Sequence, residues 1–215
     1  MKILFFGDSI TDAARNKDKE IRFPNTALGV GYVMQAAGRL YEKSPVDYEI
    51  INRGISGHRI VDLYARVKKD VWNLQPDLLS ILIGINDIWH EVEVQNGVEP
   101  ERFERIYRML LEDPIARLPN TKILLCAPFV LPGAATSEHW AEFSECAVYA
   151  EIVEKLAAEF GTYFLPLQGA FDEAAAKFGA ETFLFDGVHP TVQGATLIAN
   201  EWMKKFEEIE KEMQA

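Results

Sequence analysis

Cysteine is almost missing from this chain of 215 residues, which has two, Cys126 and Cys146, far apart and in no C-x-x-C pattern. That spacing suggests neither a disulfide framework nor a zinc site. Histidine is scarce too: none of the four forms an H-E-x-x-H or another close pair, which argues against a zinc hydrolase. No apolar run reaches the length of a membrane span. Lys2 is followed by only four apolar residues before Gly7 and Asp8, too few for the core of a secretory signal. Positive charge is outweighed, 22 Lys and Arg against 33 Asp and Glu, and the net charge of -11 repels phosphate backbones and anionic lipid. P-loop and G-x-G-x-x-G signatures are absent as well. The expectations are a cytoplasmic location, no metal or cofactor, no nucleic acid or membrane partner, and a neutral substrate.

What is present reads as one α/β domain over residues 1–215, with 48% hydrophobic and 26% charged residues. Ile3-Leu4-Phe5-Phe6 is a short buried strand stopped by Gly7, and residues 47 to 52 read as a second. Leu78-Leu79-Ser80-Ile81-Leu82-Ile83, bounded by Pro76-Asp77 and Gly84, has the unbroken apolar character of a central parallel strand covered on both faces. Residues 122 to 127 and 163 to 165 complete five. Between them, residues 12 to 29 are polar and turn-rich around Phe23-Pro24-Asn25, and a helix runs from Gly31-Tyr32 to Glu42. Ile60, Leu63, Tyr64, Val67, Val71 and Leu74 recur at helical spacing until Pro76. Further helices are expected over 100–117, 137–160, 170–178 and from Pro190 to the C-terminus, Pro being suited to a first helical position. This alternation predicts a three-layer α/β/α sandwich around a mostly parallel five-stranded sheet. Trp202, Phe206, Ile209 and Met213 form a stripe on the last helix, read as core or as a contact with a second copy, giving a homo-oligomer.

Gly7-Asp8-Ser9-Ile10 puts a serine just past the carboxyl end of the first strand, where open α/β sheets form their ligand crevice. Ser9 is therefore a candidate nucleophile; the alternative is that Asp8 and Ser9 merely cap the next helix. A serine needs a base, and the base needs a group to hold its tautomer. In Asp186-Gly187-Val188-His189 the carboxylate stands three residues before the imidazole, so Asp186 can accept the Nδ1 proton and leave Nε2 for Ser9; a solvated loop is the other reading. His90 and His139 have a neighbouring glutamate but no such arrangement, and His58 follows a glycine loop. Donors for a developing oxyanion are offered by Gly54, whose amide no side chain obstructs, and by the Asn86 side chain. Each alone reads equally as a turn residue. Together, Ser9, Gly54, Asn86 and Asp186 with His189 all follow strands, on one edge of one sheet.

GDSI at 7–10, NRGISG at 52–57, GIND at 84–87 and DGVHP at 186–190 resemble the four blocks of the SGNH (GDSL-type) hydrolases, in family order across almost the whole chain. Ile10 replaces the leucine of the family name. The absent G-x-S-x-G elbow sets the chain apart from the α/β-hydrolases. The resemblance implies a metal-free, single-domain, flavodoxin-like esterase fold with Ser9, Asp186 and His189 as triad. It implies an oxyanion hole from the Ser9 and Gly54 amides and the Asn86 side chain. GDSITDAAR, TALGVGYV, INRGISG, DLYARVKKDV, IGINDIWH and DGVHPTVQG further resemble the intracellular acetylxylan esterases of that superfamily. The function this implies is removal of acetyl groups from xylo-oligosaccharides through an acyl-enzyme on Ser9. Trp89 is a candidate face for a sugar ring or a core tryptophan; Phe129, Trp140 and Phe185 are further pocket candidates. The alternatives are a broad carboxylesterase, thioesterase or lysophospholipase, a flavodoxin-like nucleotide-binding module, and a sugar-binding protein without catalysis.

Overall fold

A computed structural model describes residues 1–18 and 24–214; Phe23 of the turn-rich stretch lies outside them. Five parallel strands, β1 (Lys2–Gly7), β2 (Glu49–Gly54), β3 (Leu78–Leu82), β4 (Lys122–Cys126) and β5 (Tyr163–Leu165), form one sheet in the order β2-β1-β3-β4-β5. The chain steps outward from β1 to β2, then returns past β1 to β3. The order in which strands are added therefore reverses between β1 and β3, and the crevice at their carboxyl ends is where ligands of open α/β sheets sit.

Helices α1 (Ser9–Asp12), α2 (Tyr32–Lys43), α3 (Ile60–Val67), α4 (Ile85–Val94), α5 (Pro100–Arg117), α6 (Trp140–Phe143), α7 (Cys146–Phe160), α8 (Gln168–Phe178) and α9 (Val192–Gln214) connect and cover the strands. Two groups, α2 with α9 and α3 with α5 and α7, enclose the sheet as the outer layers of the sandwich. All five residues of β3 are buried, as its unbroken apolar run requires. No helix among the described residues is long and apolar enough to cross a membrane.

Four local expectations change. β2 runs two residues further than its apolar core suggests, because Arg53 and Gly54 still pair with Phe6 and Gly7. Helix α4 is absent from the sequence reading, although Ile85, Ile88, Trp89 and Val92 have helical spacing; Gly84, at φ +138°, turns the chain from β3 straight into it. The span 137–160 divides into α6 and α7, and Ser144 between them spends its hydroxyl on Ala141 O at 2.9 Å, competing with the helical ladder. Pro190 does not open α9: it bridges Leu184 in an antiparallel pair, and the helix begins at Val192.

The stripe on α9 is core. Trp202, Phe206 and Ile209 are 0% exposed, Trp202 lies 4.8 Å from the Phe5 ring, and its Nε1 donates to Ser80 Oγ at 3.0 Å. These three side chains are packed within the chain, and Met213, the last of the stripe, is partly buried against the same core. Cys126 and Cys146 are both free thiols and both buried.

Candidate active site

Asp8 follows β1 and caps α1, its Oδ1 accepting the Ile10 N–H at 3.0 Å. The capping role and the nucleophile position thus coexist: the cap turns the chain so that Ser9 is the first residue of a helix of one turn, over the β1–β3 crevice. Ser9 Oγ lies 2.9 Å from His189 Nε2, and His189 Nδ1 lies 2.7 Å from Asp186 Oδ2. The second carboxylate oxygen, Oδ1, accepts the backbone N–H groups of Val188 at 2.9 Å and His189 at 2.7 Å. With Nδ1 donating to Asp186, Nε2 is left to accept the Ser9 proton, which is the tautomer a general base needs.

The Asp186–His189 turn is held by the loop that follows β4. Leu131 N–H donates to Gly187 O and Ala135 N–H to Asp186 O, both at 2.9 Å. Gly187 has φ +102°, and a Cβ there would lie 2.3 Å from Thr136 Oγ1, so both the backbone angle and the space demand glycine. Phe185 stacks on the imidazole at 5.7 Å and 18°, and Trp89 lies against it at 5.6 Å and 51°. The ring is therefore fixed by two aromatic contacts and one charge-assisted hydrogen bond.

The electrostatics fit that arrangement. Asp186's hydrogen bond raises the His189 pKa above its ordinary value against the opposing effect of burial. The Asp186 carboxyl is held below its usual range by His189 and the two backbone donors, which outweigh its desolvation. Asp8, fully buried, is pushed the other way, to about 7, by desolvation; its Oδ2 has no hydrogen-bond partner among the described residues.

Sequence reasoning placed Gly54 among the donors, and the structure withholds it. Along β2 the Ile55 N–H bonds Gly7 O, so the alternate Gly54 N–H points to the open edge of the sheet, where Asn52 Oδ1 takes it at 2.8 Å. Gly54 is needed for closeness instead: a Cβ there would lie 2.2 Å from Asp12 N. Another amide of the same block, that of Gly57 at φ +79°, has no acceptor among the described residues; nor has the Ser9 N–H. Gly57 lies between Ser56, which lines the cavity beside Ser9, and His58, whose carbonyl accepts from Asn86 Nδ2 at 3.0 Å. The signal for Gly57 lay in I-S-G, the second glycine of the same block. Arg66 braces this loop, donating to Gly7 O, to Arg53 O and to His58 Nδ1.

Of the aromatic candidates, Trp89 and Phe185 reach the site through His189. Phe129 does not: it is 0% exposed and stacks on Phe171 at 4.3 Å inside the core, because the chain after β4 turns inward there. Trp140 opens α6, partly exposed, and does not line the cavity beside Ser9.

Comparison with known proteins decides the family. Residues 5–197 match the GDSL-like lipase/acylhydrolase family. The chain belongs to that family. As a GDSL-like acylhydrolase it is a carboxylic ester hydrolase, and the reading as a nucleotide-binding module falls away. It is 33% identical over 212 residues to an acetylxylan esterase of Geobacillus stearothermophilus, across 95% of this chain and 93% of that protein. The crystal structure of that esterase, Axe2, superposes with a TM-score of 0.83 at 32% identity, covering 95% of this chain and 93% of that one. A GDSL-like lipase candidate from Parabacteroides merdae superposes with a TM-score of 0.87 at 41% identity, covering 95% and 94%. Structures described as catalytic mutants of Axe2 replace a serine, an aspartate and a histidine, the last two three positions apart.

Proposed function

We propose that this GDSL-like acylhydrolase is a serine esterase that removes acetyl groups from acetylated sugars, xylo-oligosaccharides foremost, with residues 1–215 acting as one catalytic domain. The observation that carries the reading is the continuous chain from Ser9 Oγ through His189 to Asp186, at 2.9 and 2.7 Å. The sugar assignment draws on the likeness to the Geobacillus esterase, whose catalytic mutants replace a serine and an aspartate and histidine three positions apart, the same residue types and spacing as Asp186 and His189 here.

In the first step His189 Nε2 takes the proton of Ser9 as Oγ attacks the acetyl carbonyl. Asp186 holds the imidazole and stabilises the cation that forms. The charge that develops on the carbonyl oxygen is met by the Ser9 and Gly57 amides and the Asn86 side chain, with Gly57 in the role first given to Gly54. His189 then hands its proton to the sugar oxygen, the C–O bond breaks, and an acetyl-enzyme remains on Ser9. Water, deprotonated by the same histidine, attacks that ester and frees acetate.

The test is mass spectrometry of acetylated xylo-oligosaccharides during incubation. Losses of one acetyl at a time are expected with the native protein and none with Ser9→Ala. Acetate release that survived Ser9→Ala, or a fluorophosphonate that labelled Ser56 or Ser137 in place of Ser9, would overturn the assignment.

A further inference from the structure

A cavity of about 470 Å³ opens on Ser9 and His189, within the range of small-ligand sites. It runs between α1, Gly31 and the start of α9, and Asn86 lies outside it. Apart from His189, no ionisable Asp, Glu, Lys or Arg is among its described lining residues. Its hydroxyls beyond Ser9 are already engaged within the protein. Tyr32 shares a hydrogen bond with Thr11 Oγ1 at 3.1 Å, Ser56 Oγ donates to Asp12 Oδ2 at 3.1 Å, and Thr191 Oγ1 donates to Thr182 O at 2.6 Å. The rest of the wall is apolar. At its edge Val30, Val192 and Phe185 are 78%, 74% and 60% exposed, an unusual concentration of solvent-facing apolar side chains.

This inference rests on the reading of Ser9 as nucleophile and His189 as its base. The leaving oxygen must come within hydrogen-bond reach of His189 Nε2 to receive its proton, so the alcohol half of the ester enters the space that continues from that nitrogen. That space is the cavity. With its side-chain hydroxyls beyond Ser9 already engaged within the protein and no charged Asp, Glu, Lys or Arg in the wall, it selects the alcohol chiefly by apolar contact. We infer that the enzyme prefers acetate esters of alcohols with an apolar body, aryl-alkyl alcohols or sugars whose neighbouring hydroxyls are still acetylated, gripped at the rim by Val30, Val192 and Phe185.

The experiment measures kcat/KM for methyl, butyl and 2-phenylethyl acetate, whose leaving groups differ little in acidity. Values should rise about fourfold for each methylene buried, and roughly 10- to 100-fold from methyl to 2-phenylethyl. Val30→Asp and Val192→Asp, at exposed positions that tolerate charge, should collapse the 2-phenylethyl to methyl ratio, and Val192→Ile should keep it. Methyl xyloside triacetate should lose its first acetate faster, per ester group, than the monoacetate. A flat series with hydrolysis still abolished by Ser9→Ala, or a ratio that survives both aspartates, would overturn the inference and leave the esterase reading intact. Hydrolysis of the whole series by Ser9→Ala would remove the esterase reading itself.

Discussion

Replacing Asp8 by Asn keeps the cap on Ile10 and removes a carboxyl that burial holds at about 7 against 3.8 for the ordinary group. The folded protein retains this proton where the unfolded chain has released it, so stability falls as pH rises through that window. The loss is absent below the unfolded value and complete above about 7. At about 1.4 kcal/mol per pH unit, the full cost of the buried charge is about 4 kcal/mol, and about 3 kcal/mol of it develops between pH 5 and 8. Against the desolvation, the Ile10 amide and then His189 favour the Asp8 charge, and Asp8 in turn helps push the buried Asp87 carboxyl up. Asp8→Asn should therefore gain stability over the native protein on going from pH 5 to 8. With urea slopes near the upper end for small domains, the midpoints should separate by roughly 1 M. The assay is urea unfolding of both proteins at the two pH values. Curves that keep the same separation at both would refute the reasoning, because they would mean that Asp8 carries the same charge folded and unfolded. The acid limb of kcat/KM should also move to lower pH in Asp8→Asn, since the Asp8 charge helps hold the His189 proton.

The His189 pKa is raised by Asp186, and a base must be neutral to act, so the acid limb of kcat/KM for an acetate ester should lie above 6.5. Asp186→Asn should move that limb downward and lower kcat by roughly 10⁴-fold, the loss of a triad carboxylate. Asn86→Ala should remain folded and lose about 3 kcal/mol of transition-state stabilisation, a factor of 10² to 10³ in kcat; full activity in a stable variant would exclude that side chain from the oxyanion site. Phe129→Ala should cost about 3 to 5 kcal/mol of unfolding free energy, read by urea titration, with KM unchanged, because the ring serves the core.

Much of this protein is legible locally. β3 is written in an unbroken apolar run, and the short strand before Gly7 puts Ser9 at a strand end. Asp186 and His189 stand three residues apart, close enough for one turn to pair them. These features depend on near neighbours in the chain, and local periodicity and turn chemistry describe them. The donor set and the aromatic candidates were less legible. Nothing within a few residues of Phe129 tells that it meets Phe171, or near Trp89 that it meets the His189 imidazole.

The sequence by itself determined the alternation of strands and helices, and with it the positions of Ser9 and Asn86 after β1 and β3; Asp186 and His189, expected to follow a strand, instead follow a short 3-10 turn and reach Ser9 only through the fold. Only the tertiary structure decided which amides stay open there. Gly54 and Gly57 stand in one short loop motif, but an edge-strand register assigns the first amide to Asn52, while the second is left without an acceptor among the described residues. The physical reason is that every buried backbone donor must find a partner, and which partner it finds depends on segments brought close by folding, not on those adjacent in the chain.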